Sequence, residues 1–134
     1  MDNLTLNEPE VASKSRVMEV ARRFTETLAE TAQYRALEET YQAFRQDGEA
    51  QAAYTALQTK QQTLRMVTML NAVGEEDRLA LKQLEDQFYG LKSVQNYIQA
   101  QETLISMCQE IGDILSDAVG LNFGLACRVG GCCG

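Results

Sequence analysis

A chain of 134 residues with one proline, and with Ala, Leu, Gln and Glu dominating its middle, has room for one all-α domain and none for a second core. Its 19 acidic residues outnumber 12 basic ones, for a formal net charge of −7, and the scattered cations form no basic face of the kind that direct nucleic-acid binding requires. Histidine is absent, which removes Cys–His and Ser–His pairs, the commonest general base and any imidazole metal ligand, so the chain reads as a non-enzyme.

The first helix is predicted to start near Asn7, with Pro9 in its first turn and Glu10 three residues after the cap. Val17, Val20, Phe24 and Leu28 then recur at spacings of three and four, the period that puts side chains on one helix face. A second helix follows Thr31, with Tyr34, Leu37, Tyr41 and Phe44 as its stripe. Asp47-Gly48 punctuates the chain, and the Asp47 carboxylate is suited to cap a third helix bearing Tyr54, Leu57, Leu64, Val67 and Leu70.

Gly74 is expected to end that helix, and Glu75, Glu76 and Asp77 then favour a new N-terminus, where negative charge meets the positive end of the helix dipole. Leu81, Leu84, Phe88 and Leu91 make the fourth stripe, and Gly90 with Ser93 suggests a short break with Ser93 as the next cap. The fifth helix has the clearest pattern. Val94, Tyr97, Gln101, Leu104, Cys108, Ile111, Leu115 and Ala118 hold a strict three-four alternation, widened by Ile98, Ile105 and Val119. At about 1.5 Å per residue this seam runs about 37 Å, and it calls for a covering surface: helices three and four, a second chain, or both. The expected architecture is an elongated bundle of long antiparallel amphipathic helices over residues 1–120, forming a dimer or larger assembly; a monomeric up-and-down bundle is the alternative.

Gly120 marks the end of the fifth helix, and composition then shifts to a glycine- and cysteine-rich tail over residues 121–134. No apolar run reaches the roughly 20 residues of a membrane span. Residues 1–10 lack the apolar centre of a signal peptide, so the expected location is the cytoplasm, where the four cysteines read as thiols or ligands and not as structural disulfides. Cys108 lies on the fifth stripe and is expected in the core as a small hydrophobe.

Cys127, Cys132 and Cys133 place three thiols within seven residues, interleaved with glycine. Thiolate is the soft ligand preferred by iron–sulfur clusters, zinc and Cu(I), and glycine lets a short loop fold around a metal. Three ligands leave a four-ligand site one short, so a fourth would come from another chain, a small molecule or Cys108. A redox-active thiol pair at Cys132 and Cys133, acting without a partner or as a metal carrier, and an unoccupied tail on a purely structural dimer are the other readings of the same residues.

The stretch Tyr34…Leu37…Asp47-Gly48-Glu49-Ala50, the pattern Tyr97-x3-Gln101-x2-Leu104 and the terminal Gly-Gly-Cys-Cys-Gly together resemble the YlbF/YmcA family over roughly residues 10–134. That resemblance implies long-helix, all-α, usually dimeric proteins. It implies regulators of competence, sporulation and biofilm formation in Gram-positive bacteria, assembling with a related family member and a third, unrelated protein. It further implies an association with ribonuclease Y and messenger-RNA maturation. It also implies four-iron–four-sulfur clusters held by cysteines, for which Cys127, Cys132 and Cys133 are the matching positions here. The tail departs from longer, cysteine-richer ones in the family, and some members lack tail cysteines altogether.

Overall fold

The computed structural model describes residues 11–70 and 72–125, and these form five α-helices with no strand among them: α1 (Lys14–Ala29), α2 (Ala32–Gln46), α3 (Gly48–Met69), α4 (Glu75–Tyr89) and α5 (Lys92–Val119). The all-α expectation holds, and the predicted stripes fall within these helices except at two ends, Leu70 being the C-cap of α3 and Leu91 lying beyond α4 as the N-cap of α5. Several boundaries move. Residues 11–13 are not helical, and Ser13 accepts the Arg16 amide at 3.2 Å, so α1 begins at Lys14, while the expected start around Asn7, Pro9 and Glu10 lies outside the described residues. Gly74 precedes α4 as its N-cap, whereas α3 closes at Leu70.

Two polar caps articulate the first three helices. Thr31 accepts the Tyr34 amide at 3.2 Å and donates to the Leu28 carbonyl at 2.7 Å, linking the start of α2 to the end of α1. Asp47 Oδ1 accepts the amides of Glu49 at 3.1 Å and Ala50 at 3.3 Å, the capping role read from sequence. The expected cap at Ser93 is not one. Leu91 is the N-cap of α5, and the Ser93 hydroxyl instead donates to Asp47 Oδ2 at 2.6 Å.

Packing follows two antiparallel pairs. α3 and α4 form one hairpin, in which Lys60 Nζ reaches from the middle of α3 to Asp77 Oδ1 in the first turn of α4 at 2.9 Å. α2 and α5 form the other, which corrects the expectation that α3 and α4 would cover the long seam. The reason is aromatic. The stripe of α2 ends in Tyr41 and Phe44, whose rings lie 5.5 Å and 5.6 Å from that of Tyr97, and the Phe44–Tyr97 pair is stacked within 5° of parallel.

The two hairpins meet where the α2 C-terminus, the α3 N-terminus, the α4 C-terminus and the α5 N-terminus converge. Ala50, Leu57, Phe88 and Val94 form the buried cluster at this junction, with Phe44, Ala53, Leu81, Leu84, Leu91 and Ile98 packed against it. Ala50 is fully buried, and a larger side chain there would displace its neighbours. Only six apolar side chains are buried among the described residues, and no polar ones, so much of the apolar surface of the helices faces solvent.

Candidate assembly surface

Around the junction Phe44 sits at the centre of an aromatic group. Edge-on contacts join it to Tyr54 and Phe88 at 6.2 Å each, and Tyr54 meets Phe88 at 5.7 Å. Arg45 lies 5.9 Å above the Tyr41 ring. These residues, with Tyr89, Val94 and Tyr97, line an open groove of about 440 Å³ that no described residue fills.

The protonation of Asp47 is displaced. The Ser93 hydroxyl and then the Ala50 amide hold its carboxyl below the ordinary value against the opposing effect of desolvation, and the Glu49 amide adds a smaller lowering. Its negative charge is thereby built into the joint between the hairpins, where it serves structure.

Away from the junction the apolar rows lose their partners. None of the residues of α1 is buried, and Val17 and Val20 are both 57% exposed with Phe24 at 45%. On α5, Val94 and Ala100 are buried, but Ile105, Ile114, Leu115 and Val119 stand open. The divide follows from length. Tyr97 lies against the C-terminal half of α2, and Gln99 and Thr103 share a groove with Gln33 and Ala36 near its start, so the 28-residue α5 outruns the 15-residue α2.

Cys108 lies on this overhang. It is exposed, not buried in the core as its position on the stripe suggested, because none of the five described helices covers that part of α5. At the far end Gly120 adopts the left-handed conformation (φ 69°), its amide bonds to the Ser116 carbonyl at 2.9 Å, and Ser116 Oγ accepts the Phe123 amide at 3.2 Å. The chain therefore turns back, and Asn122 and Gly124 line a groove with Cys108, Gln109 and Gly112.

Cys127, Cys132 and Cys133 lie outside the described residues. Among the described residues no three His, Cys, Asp or Glu side chains come together as a metal site, and no helix is long and apolar enough to cross a membrane. The exposure of α1 and of the α5 overhang was not foreseen residue by residue. The available signal was arithmetic: five stripes of unequal length cannot all be covered within one chain.

No curated protein and no solved structure matches the chain. The family model described as control of competence regulator ComK, YlbF/YmcA, matches residues 17–120, which takes in all of α2 to α5 and most of α1. The chain belongs to the YlbF/YmcA family of competence-control regulators.

Proposed function

We propose that this protein is a non-enzymatic regulatory adaptor of the cytoplasm that works by pairing its helices with those of other chains, a second copy and a related family member among them. The observation that carries this reading is the pair of uncovered apolar rows, one along α1 and one along the outer half of α5. Leaving such rows wet costs about 25 cal/mol per Å² of apolar surface, and helix-on-helix docking recovers it. Membership of a regulatory family and the lack of histidine point the same way. Control of RNA processing, through a third protein and ribonuclease Y, would then be exerted by the partners, because the chain's net negative charge and scattered cations suit protein contacts better than phosphate.

The tail cysteines extend the proposal to a four-iron–four-sulfur cluster. Cys127, Cys132 and Cys133 supply soft thiolates in a glycine-rich run, a donor set that fits such a group but leaves it one ligand short. Cys108 is the described thiol available to complete it, exposed beside the groove that Asn122 and Gly124 reach on the return of the chain. When bound, the cluster would supply sensitivity to iron and oxygen, and the helices would carry that state to the partner.

Anaerobic purification of the native protein, followed by iron and sulfide analysis and sedimentation velocity on one sample, tests both parts. Bound iron and sulfide in a dimer or larger complex is expected. A colourless, iron-free preparation would remove the cluster, and a monomer that also fails to bind a purified related family member would remove the adaptor.

A further inference from the structure

The outer half of α5 carries a seam of its own. Ile105, Cys108, Gly112, Leu115 and Val119 follow one another at intervals of three and four, the heptad spacing that presents one face to a second helix. Ile105 is 55%, Leu115 43% and Val119 54% exposed, and Cys108 is open beside them. The seam is also uncharged. Beyond Lys92 the helix has no cation and bears Glu102, Glu110, Asp113 and Asp117. At about 100° per residue, all of these carboxylates lie at least about 100° around the helix from the middle of the row. A helix whose only charges are negative can therefore lie against its own copy along this face without setting like charges together.

Gly112 is the middle of this row. An open groove of about 420 Å³ lies over it, between Ile105, Cys108, Gln109 and Ser116. A Cβ on Gly112 would meet nothing within 4 Å, so no close approach inside the chain requires glycine there, although glycine is unfavourable in the interior of a helix. The dent it leaves is a hole for a branched aliphatic side chain, and Leu115, three residues on, is such a knob on the same row. We propose that the outer half of α5 pairs antiparallel with that of a second copy, Leu115 of each chain entering the dent over Gly112 of the other and Cys108 of each facing Val119 of the other. Both pairings share one centre, between Asp113 and Ile114, as a two-fold axis demands. A parallel copy would set Gly112 beside Gly112 and Leu115 beside Leu115, leaving the dent empty. This rests on the reading of the chain as an assembling regulator and names the surface and the occupant.

Cross-linking through the native Cys108 tests direction and register. In a chain whose Cys127, Cys132 and Cys133 are replaced by serine, Val119→Cys is expected to give a covalent dimer on oxidation with diamide. Positions 108 and 119 are about 16.5 Å apart along one helix, too far to close within a chain. The chain with Cys108 as its only thiol, and the Val119→Cys chain with Cys108→Ser, are expected to stay unlinked, because like positions are equally far apart across the two-fold axis. Sedimentation velocity supplies the second measurement. The parent is expected as a dimer. Gly112→Arg fills the dent and brings an unpaired charge into the seam, so it is expected to dimerise at least about tenfold more weakly, with its circular dichroism unchanged.

A covalent dimer from Cys108 alone would mean parallel copies and overturn the proposal. So would a Val119→Cys chain that stays unlinked where the parent is dimeric, or a Gly112→Arg variant that dimerises like the parent. Each of these leaves the adaptor reading standing, as does a monomeric parent that binds a purified related family member, which would overturn the self-pairing alone. A parent that stays monomeric and binds no family member would remove the adaptor reading itself.

Discussion

Ser93 donates its hydroxyl to Asp47 Oδ2 at 2.6 Å, tying the first turn of α5 to the capping residue of α3 across 46 positions of sequence. One carboxylate thus serves two joints, because its other oxygen holds the amides of Glu49 and Ala50. A single side chain sets both the start of α3 and the position from which α5 departs.

This bridge predicts a specific pH dependence. The folded pKa of Asp47 lies below its ordinary value of 3.8, so the stability it contributes is complete above that value and is lost as pH falls through the depressed one. Asp47→Asn keeps a capping oxygen but loses the charge, and it should melt at a lower temperature than the parent near neutral pH. The gap should close in melts taken progressively below pH 4. A gap that is unchanged at the acid end would exclude the carboxylate as its source.

The junction should be the least tolerant part of the chain. Leu57 is 4% exposed, and Leu57→Ala should cost about 3 kcal/mol in urea titration, within the usual range for a buried leucine. Ala50→Leu, at a fully buried position, should cost about 2 kcal/mol through overpacking. By contrast Val17→Ala, on the open row of α1, should leave the stability of a dilute monomer within about 0.5 kcal/mol and weaken only association.

Gly120 should resist replacement although a Cβ there meets nothing within 4 Å. Its φ of 69° is the obstacle, and Gly120→Ala should cost about 1 kcal/mol in thermal melts. Asparagine, which tolerates that region better, should cost less. Equal losses for the two replacements would point away from the backbone.

Cys108 should react with a thiol reagent in the folded protein when Cys127, Cys132 and Cys133 are replaced by serine. In dilute protein its rate should approach that of a solvent thiol, and it should fall as the concentration rises and a second chain covers α5. A slow rate independent of concentration would mean that the chain shields this thiol by itself.

Much of this architecture was legible in the sequence, and the failures share one cause. Helical period, the Asp47 cap and the turn at Gly120 are local properties that neighbouring residues fix. Ser93 misled because a serine at a helix start has two uses, a local cap or a distant hydrogen bond, and only the fold brings Asp47 within reach. Cys108 misled for a similar reason. Its place on a regular stripe shows that something should cover it, but which helix does so, and from which chain, depends on the relative lengths and directions of α2 and α5. Cys127, Cys132 and Cys133 lie outside the described residues, and it is composition alone that marks them as candidate ligands.

The joining of two hairpins at one junction also dictates an order of assembly. α3 and α4 are neighbours along the chain, separated by a short link, so their docking closes only a small loop. α2 and α5 must enclose that entire unit before Tyr41 and Phe44 can meet Tyr97, and a preformed α3–α4 hairpin brings their ends together by seating Asp47 near Ser93. Amide exchange under native conditions should therefore show the α2–α5 pair opening as a unit at lower free energy than α3–α4, so that the arm presenting the outer half of α5 comes loose before that hairpin does.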